Sequence, residues 1–114
     1  MKLLTKEIKE TLPRLYSQEN EKDPMVICKF FDPVGSWTWL VTEGEENGDG
    51  DFEFFGLVIG FEIELGYFTL SQLETAKQGL TGLKALPIER DLSFTPCRLS
   101  EAKKQYMIEN GREI

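Results

Sequence analysis

The run IERDL places Glu89, Arg90 and Asp91 side by side, and these are the residues whose types and spacing come nearest to acid–base chemistry. In an extended segment after Pro87, Glu89 and Asp91 point to one side and Arg90 to the other. Two carboxylates so paired can act as acid and base once burial raises one pKa. The plainer reading is an ion pair that holds the segment to a sheet. Glu62 and Glu64, at i and i+2 of one strand, pose the same choice. Stacking is the second chemistry on offer: Trp37 and Trp39, with Phe52, Phe54, Tyr67 and Phe68, would make a platform for a base or a sugar, or else a core. A binding reading takes Trp37, Trp39, Glu64, Tyr67, Glu89, Arg90 and Asp91 as its residues and expects IERD, Tyr67 and the tryptophans in one pocket.

The chain has no histidine, which excludes imidazole-assisted serine or cysteine nucleophiles, histidine-ligated zinc and the HxE deaminase motif. No catalytic residue, metal site or cofactor is assigned, and no Gly-rich phosphate loop of standard spacing is present. Cys28 and Cys97 stand far apart and outside any CxxC pair, and they read as reduced structural thiols.

EGEENGDGDFEFFG, residues 43–56, tests a third chemistry. Counted from Glu45, it offers Glu45, Asn47, Asp49 and Gly50 in the first slots of a calcium loop, but the twelfth slot, which needs a bidentate Glu, is Gly56. The stretch therefore reads as a hairpin tip between two strands. Its carboxylates, Glu43, Glu45, Glu46, Asp49, Asp51 and Glu53, form an acidic patch. They belong to a longer region: from Phe30 to Ala76 there is no Lys or Arg and there are ten acids, so this region carries −10 and the rest +3 of a net −7. Such a field attracts a basic protein surface and repels nucleic acid, so no direct nucleic-acid binding by this face is expected. The alternative is an acidic loop that is merely solvated. A homodimer joined through a sheet edge or an aromatic face is compatible with either. No apolar run suffices to span a bilayer, and the charged start argues against a signal peptide. No membrane association and a cytoplasmic location are the expectations.

The elements that position these residues follow from pattern. LTKEIKETLPRLYSQE has Thr5 as N-cap and Ile8, Leu12 and Leu15 at helical spacing, with Pro13 as breaker. MVICKFF predicts a strand over 25–31. WTWLVTE predicts another, with Trp37, Trp39 and Val41 on one face and Thr38, Leu40 and Thr42 on the other. Strands follow near 52–59 and 62–69, with Gly56, Gly60 and Gly66 as bulges, bends or a turn. SQLETAKQG reads as a short helix with Ser71 and Glu74 in capping-box spacing and Gly79 at its end. After the loop LTGLKA, LPIERDLSFTP is a final extended segment with Leu92 and Phe94 alternating. Ser100 caps a helix that ends at Gly111. The fold class is α+β: a mostly antiparallel sheet of four to five strands with an N-terminal helix, a short middle helix and a C-terminal helix. One domain covers 1–114, with the helix over 100–111 free to sit at its periphery.

KFFDPVGSWTWLVTEGE, FFGLVIGFEIELGYFTLSQLE and LPIERDLSFTP, after the opening helix and in this order, resemble the family of small bacterial proteins called domain of unknown function 2958. The resemblance covers roughly residues 1–96 and rests on the combination of WTW, ELGYF(T/S)L and IERDL. It implies no established activity and no catalytic residue. Its members' setting on plasmids, conjugative elements and phage-like regions, beside anti-restriction-type genes, implies an accessory role in a mobile element. The motif positions are Trp37, Trp39, Gly56, Gly60, Glu64, Leu65, Gly66, Tyr67, Phe68, Glu89, Arg90 and Asp91. The tail after Pro96 falls outside the resemblance.

Overall fold

The computed structural model describes residues 1–76 and 86–114. Gly79, expected to end the middle helix, and the loop over 80–85 lie outside the described residues. The elements in order are α1 (Lys6–Thr11), β1 (Met25–Val26), β2 (Cys28–Phe31), β3 (Thr38–Glu46), β4 (Phe52–Ile59), β5 (Ile63–Thr69), α2 (Leu70–Thr75), β6 (Glu89–Arg90), β7 (Cys97–Arg98) and α3 (Leu99–Asn110). A five-stranded antiparallel sheet runs in the order β5-β4-β3-β2-β6, and β1 and β7 pair separately. This is the expected α+β architecture. No helix among the described residues is long and apolar enough to cross a membrane.

Both faces of the large sheet are covered, by different pieces of chain. One face carries Cys28, Phe30, Trp39, Val41, Phe52, Phe54 and Phe68 and packs against Leu3, Leu4 and Leu12 of the N-terminal segment and Leu73 of α2. The other carries Leu40, Leu57 and Ile59 beneath Leu99, Ala102 and Tyr106 of α3. α3 is therefore a core element and not a peripheral one. Its inward apolar residues, Leu99, Ala102 and Tyr106, are at most 9% exposed, while Ile108 faces solvent.

The N-terminal helix begins at Thr5, whose hydroxyl accepts from the Ile8 amide at 3.2 Å, and it stops at Leu12 ahead of Pro13. The strand expected over 25–31 is two strands. Val26 and Cys28 are two residues apart and would share a face, yet they sit in different cores, so the chain changes sheet at Ile27. The segment LPIERDLSFTP is likewise broken: the Asp91 carboxylate accepts from the Ser93 amide at 2.9 Å and Phe94 donates to the Asp91 carbonyl, an Asx turn that leaves only Glu89–Arg90 as strand. The capping box of α2 lies two residues upstream of the expected one. Thr69 and Gln72 form it, and Ser71 donates instead to the Asp51 carboxylate. Ser100 caps nothing; its amide and hydroxyl donate to Asp23 at 2.9 and 2.6 Å. Gly111 ends α3 in the left-handed conformation, φ 63°.

A bulge decides what lies on which face. Val41 pairs with Gly56, but Glu43 pairs with Phe55, so Thr42 is the extra residue. Its hydroxyl donates to the Phe55 carbonyl at 3.2 Å. Strict alternation would put Glu43 beside Val41 in the phenylalanine-rich core; the bulge turns it to the opposite face. The glycine opposite is obligatory, since a Cβ at Gly56 would lie 2.0 Å from the Leu40 carbonyl oxygen.

Candidate functional site

The residues of the binding reading fall at the two ends of the sheet. Glu89 and Arg90 lie on edge strand β6, and Glu64 and Tyr67 on edge strand β5. Four strand spacings separate these edges, about 19 Å, so the expectation of one pocket joining IERD with Tyr67 is corrected. Trp37, expected within the second strand, lies just before it. Its ring covers Gly60, at 2.6 Å from where a Cβ would be, and packs on Trp39 and Phe61 with centroids 6.0 and 5.8 Å apart.

At the β6 edge the polar groups are spent on one another. The Arg90 guanidinium donates to the carbonyls of Lys2 and Leu3, which ties the N-terminus across the strand. The buried Lys29 holds its Nζ 3.5 Å from the Asp91 carboxylate and 3.1 Å from that of Glu109. A cavity of about 250 Å³ opens beside this cluster, lined by Lys29, Asp32, Trp37, Thr38, Asp91 and Glu109 among others. It brings Trp37 and Asp91 together but neither Tyr67 nor Glu64. The ammonium between two carboxylates and the guanidinium on two carbonyls fasten β6 and the end of α3 to β2. Cys28, inside the adjoining core, has its thiol pushed up to about 12 by burial, and the half-buried Cys97 is also raised, first by burial. Both cysteines are unpaired.

The β5 edge is built in another way. Ile63, Leu65 and Tyr67 alternate onto one face and are 37, 57 and 49% exposed. Phe55, on β4, packs on Tyr67 with ring centroids 4.8 Å apart, and Tyr16 lies over Tyr67 at 5.9 Å. Tyr16 has φ 70°, a left-handed conformation uncommon for a bulky residue. Acidic side chains hold it there. The amides of Tyr16 and Gln18 each donate at 2.8 Å to the two oxygens of Glu43, and that of Leu15 donates to Glu45 at 2.9 Å. Successive amides around a left-handed residue make an anion nest, and carboxylates from β3 fill it. Partial desolvation by these neighbours, then the Tyr16 phenol and the charges of Glu43 and Glu19, hold the Tyr67 phenol above its usual pKa.

The acidic patch therefore divides. Glu43, expected at the surface, is only 2% exposed and structural. Glu45 supports the 15–18 turn. Glu46 lies 3.6 Å from Lys9. Asp51 accepts from Ser71 and from the Phe52 amide, and the Ser71 hydroxyl foremost lowers its pKa. Asp32 accepts from the Val34 amide at 3.1 Å. The side chains of Asp49, Glu53, Glu62, Glu64 and Glu74 make no ion pair among the described residues. The strand β3 extends to Glu46, so the hairpin tip is only 47–51. Asn47 accepts there from the amides of Asp49 and Asp51. No group of three or more Cys, Asp or Glu side chains among the described residues is placed to hold a metal ion.

Sequence reasoning passed over Tyr16, Phe55 and Ile63 as parts of an exposed cluster. Tyr16 stands far from Tyr67 in the chain, and only the bulge brings Glu43 under it. The alternation of IELGYFT was the available signal, because it places three large apolar residues on one face of one strand.

A family model with the description "Protein of unknown function (DUF2958)" matches residues 3–109. The match continues beyond Pro96 through most of α3, the segment outside the resemblance drawn from the motifs. No curated protein and no solved structure matches the chain.

Proposed function

The chain belongs to the domain of unknown function 2958 family, and from that premise we propose that it is a non-enzymatic accessory protein, of the kind mobile genetic elements carry, that docks on a basic protein surface. The accessory setting rests on the resemblance and the docking on charge. The observation that carries the docking is the division among the ten acids of the central region. Among the described residues five are engaged within the fold, whereas Asp49, Glu53, Glu62, Glu64 and Glu74 have no ion-pair partner, and these five belong to the hairpin tip, β4, the β4–β5 turn, β5 and α2. Glu62 and Glu64 alternate along the chain with the exposed apolar residues Phe61, Leu65 and Tyr67 of the same turn and strand. Unengaged charge beside exposed apolar surface is what a steered and then desolvated interface requires.

Affinity purification from the native host at low salt tests this reading. A basic protein should be retained and should elute steeply as the Debye length shrinks from about 30 Å to about 10 Å. No retained protein, or retention indifferent to salt, overturns it.

A further inference from the structure

We infer that the partner is taken up as a β-strand: the outer edge of β5 accepts an extended segment in which apolar and basic residues alternate. This deepens the docking reading and rests on it. Among the described residues, the seven of β5 pair with β4 on one side only, and β5 ends the sheet. Natural edge strands are protected by shortness, a proline, an inward charge, a lysine or a bulge. β5 is not short and has no proline, lysine or bulge, and its one charged side chain is the exposed Glu64; its register against β4 is unbroken from Ile63↔Ile59 to Thr69↔Glu53. Its side chains specify what would lie beside it. Ile63, Leu65 and Tyr67 present an apolar row on one face, extended inward by Phe55 and Tyr16, while Glu64 is exposed on the other. At its centre Gly66 has open space where a Cβ would stand. A strand added here sets alternate side chains against the apolar row and against Glu64. Charge complementarity selects basic residues for the second set. It also disfavours a second copy of this chain, which would bring another net −7 and its own Glu62 and Glu64 to the same edge.

The probe is a synthetic seven-residue peptide in which valine and lysine alternate, compared with one of the same composition whose lysines form a single block. The alternating peptide should bind about tenfold more tightly and slow amide exchange along β5. Methylating the backbone nitrogens on one edge of that peptide should abolish the effect. Leu65→Thr and Glu64→Lys should each weaken binding while leaving the thermal melt unchanged, so a folding defect is not mistaken for a lost site. Equal binding of the two peptides, or binding without protection of β5, overturns strand addition. So does a dimer in sedimentation with β5 amides protected before any peptide is added. If the host's basic protein is still captured in a salt-sensitive way by Glu64→Lys and Leu65→Thr, the strand inference fails and the docking reading stands; if nothing is captured by the unaltered chain, the docking reading itself fails.

Discussion

At the β6 edge two residues of strand lie against the N-terminal segment, whose carbonyls take up Arg90, and Lys29 sits between the carboxylates of Asp91 and Glu109. At the β5 edge seven residues have no strand partner on one side among the described residues, and large apolar side chains are left in solvent. The charges that do structural work on that half of the sheet are hidden beneath it, in the Glu43 and Glu45 nest. One edge thus uses its titratable groups to close the sheet. The other uses them to hold an aromatic shelf in place and leaves the remainder unengaged. The residues that look most like chemistry in the sequence lie at the closed edge, and the ones that look like core lie at the open one.

The largest expected effect falls on the support of the open edge. Glu43→Ala strands the amides of Tyr16 and Gln18 and removes two hydrogen bonds to a carboxylate, with a cost of about 3 kcal/mol in denaturant unfolding. Glu43→Gln keeps the shape and one acceptor and should cost roughly half as much. Tyr16, no longer held at φ 70°, should lose its contact with Tyr67, visible as lost cross-relaxation between the rings. A cost below about 1 kcal/mol for the alanine variant would break the comparison, because the shelf would then stand without its buried acid.

At the closed edge the same logic runs through a cation. Lys29→Ala leaves Asp91 and Glu109 facing each other without the ammonium and should cost about 2 kcal/mol. Lys29→Met leaves the same two carboxylates without their ammonium but retains the apolar stem, and it should cost less than the alanine variant by about 1 kcal/mol of packing. Equal losses for the two variants would show that stem packing is unimportant and charge alone closes the edge.

Why the open edge was hard to read and the fold easy is a matter of which interactions are local. Thr5 and its helix, the strands over 52–59 and 63–69 and the glycine end of α3 follow from periodicity and capping within a few residues. The splits at Ile27 and Asp91 do not, because each depends on which sheet a neighbouring strand joins. Glu43 is the clearest case. One bulged residue, Thr42, reverses its face, and the amides that receive it come from residues 16 and 18; within the string EGEENGDGD it is indistinguishable from its solvated neighbours. The cap of α3 fails locally for the same reason, being supplied by Asp23. Trp37 and Asp91 do meet at a cavity, but Tyr67 does not join them, since strand order is invisible in strand pattern.

The smallest effect concerns acid, and it separates the two sides by the helix each carries. Asp51 receives Ser71 at the start of α2, on the β5 side, and Asp23 receives Ser100 at the start of α3, whose far end reaches Lys29. In both, the serine hydroxyl foremost lowers the carboxyl from its ordinary 3.8. A carboxyl whose folded value is depressed contributes stability above its unfolded value, and that contribution is lost as pH falls through the folded one. Stability should therefore decline below about pH 3.8, and Asp23→Asn with Asp51→Asn should flatten that decline. Both carboxylates are solvent-exposed, so the change is modest. Its distribution is the sharper test. α2 buries only Leu73, whereas α3 buries Leu99, Ala102 and Tyr106, so amide exchange on acidification should rise in the first turn of α2 before it rises in α3. The reverse order would mean that the β5 side is the more firmly held of the two.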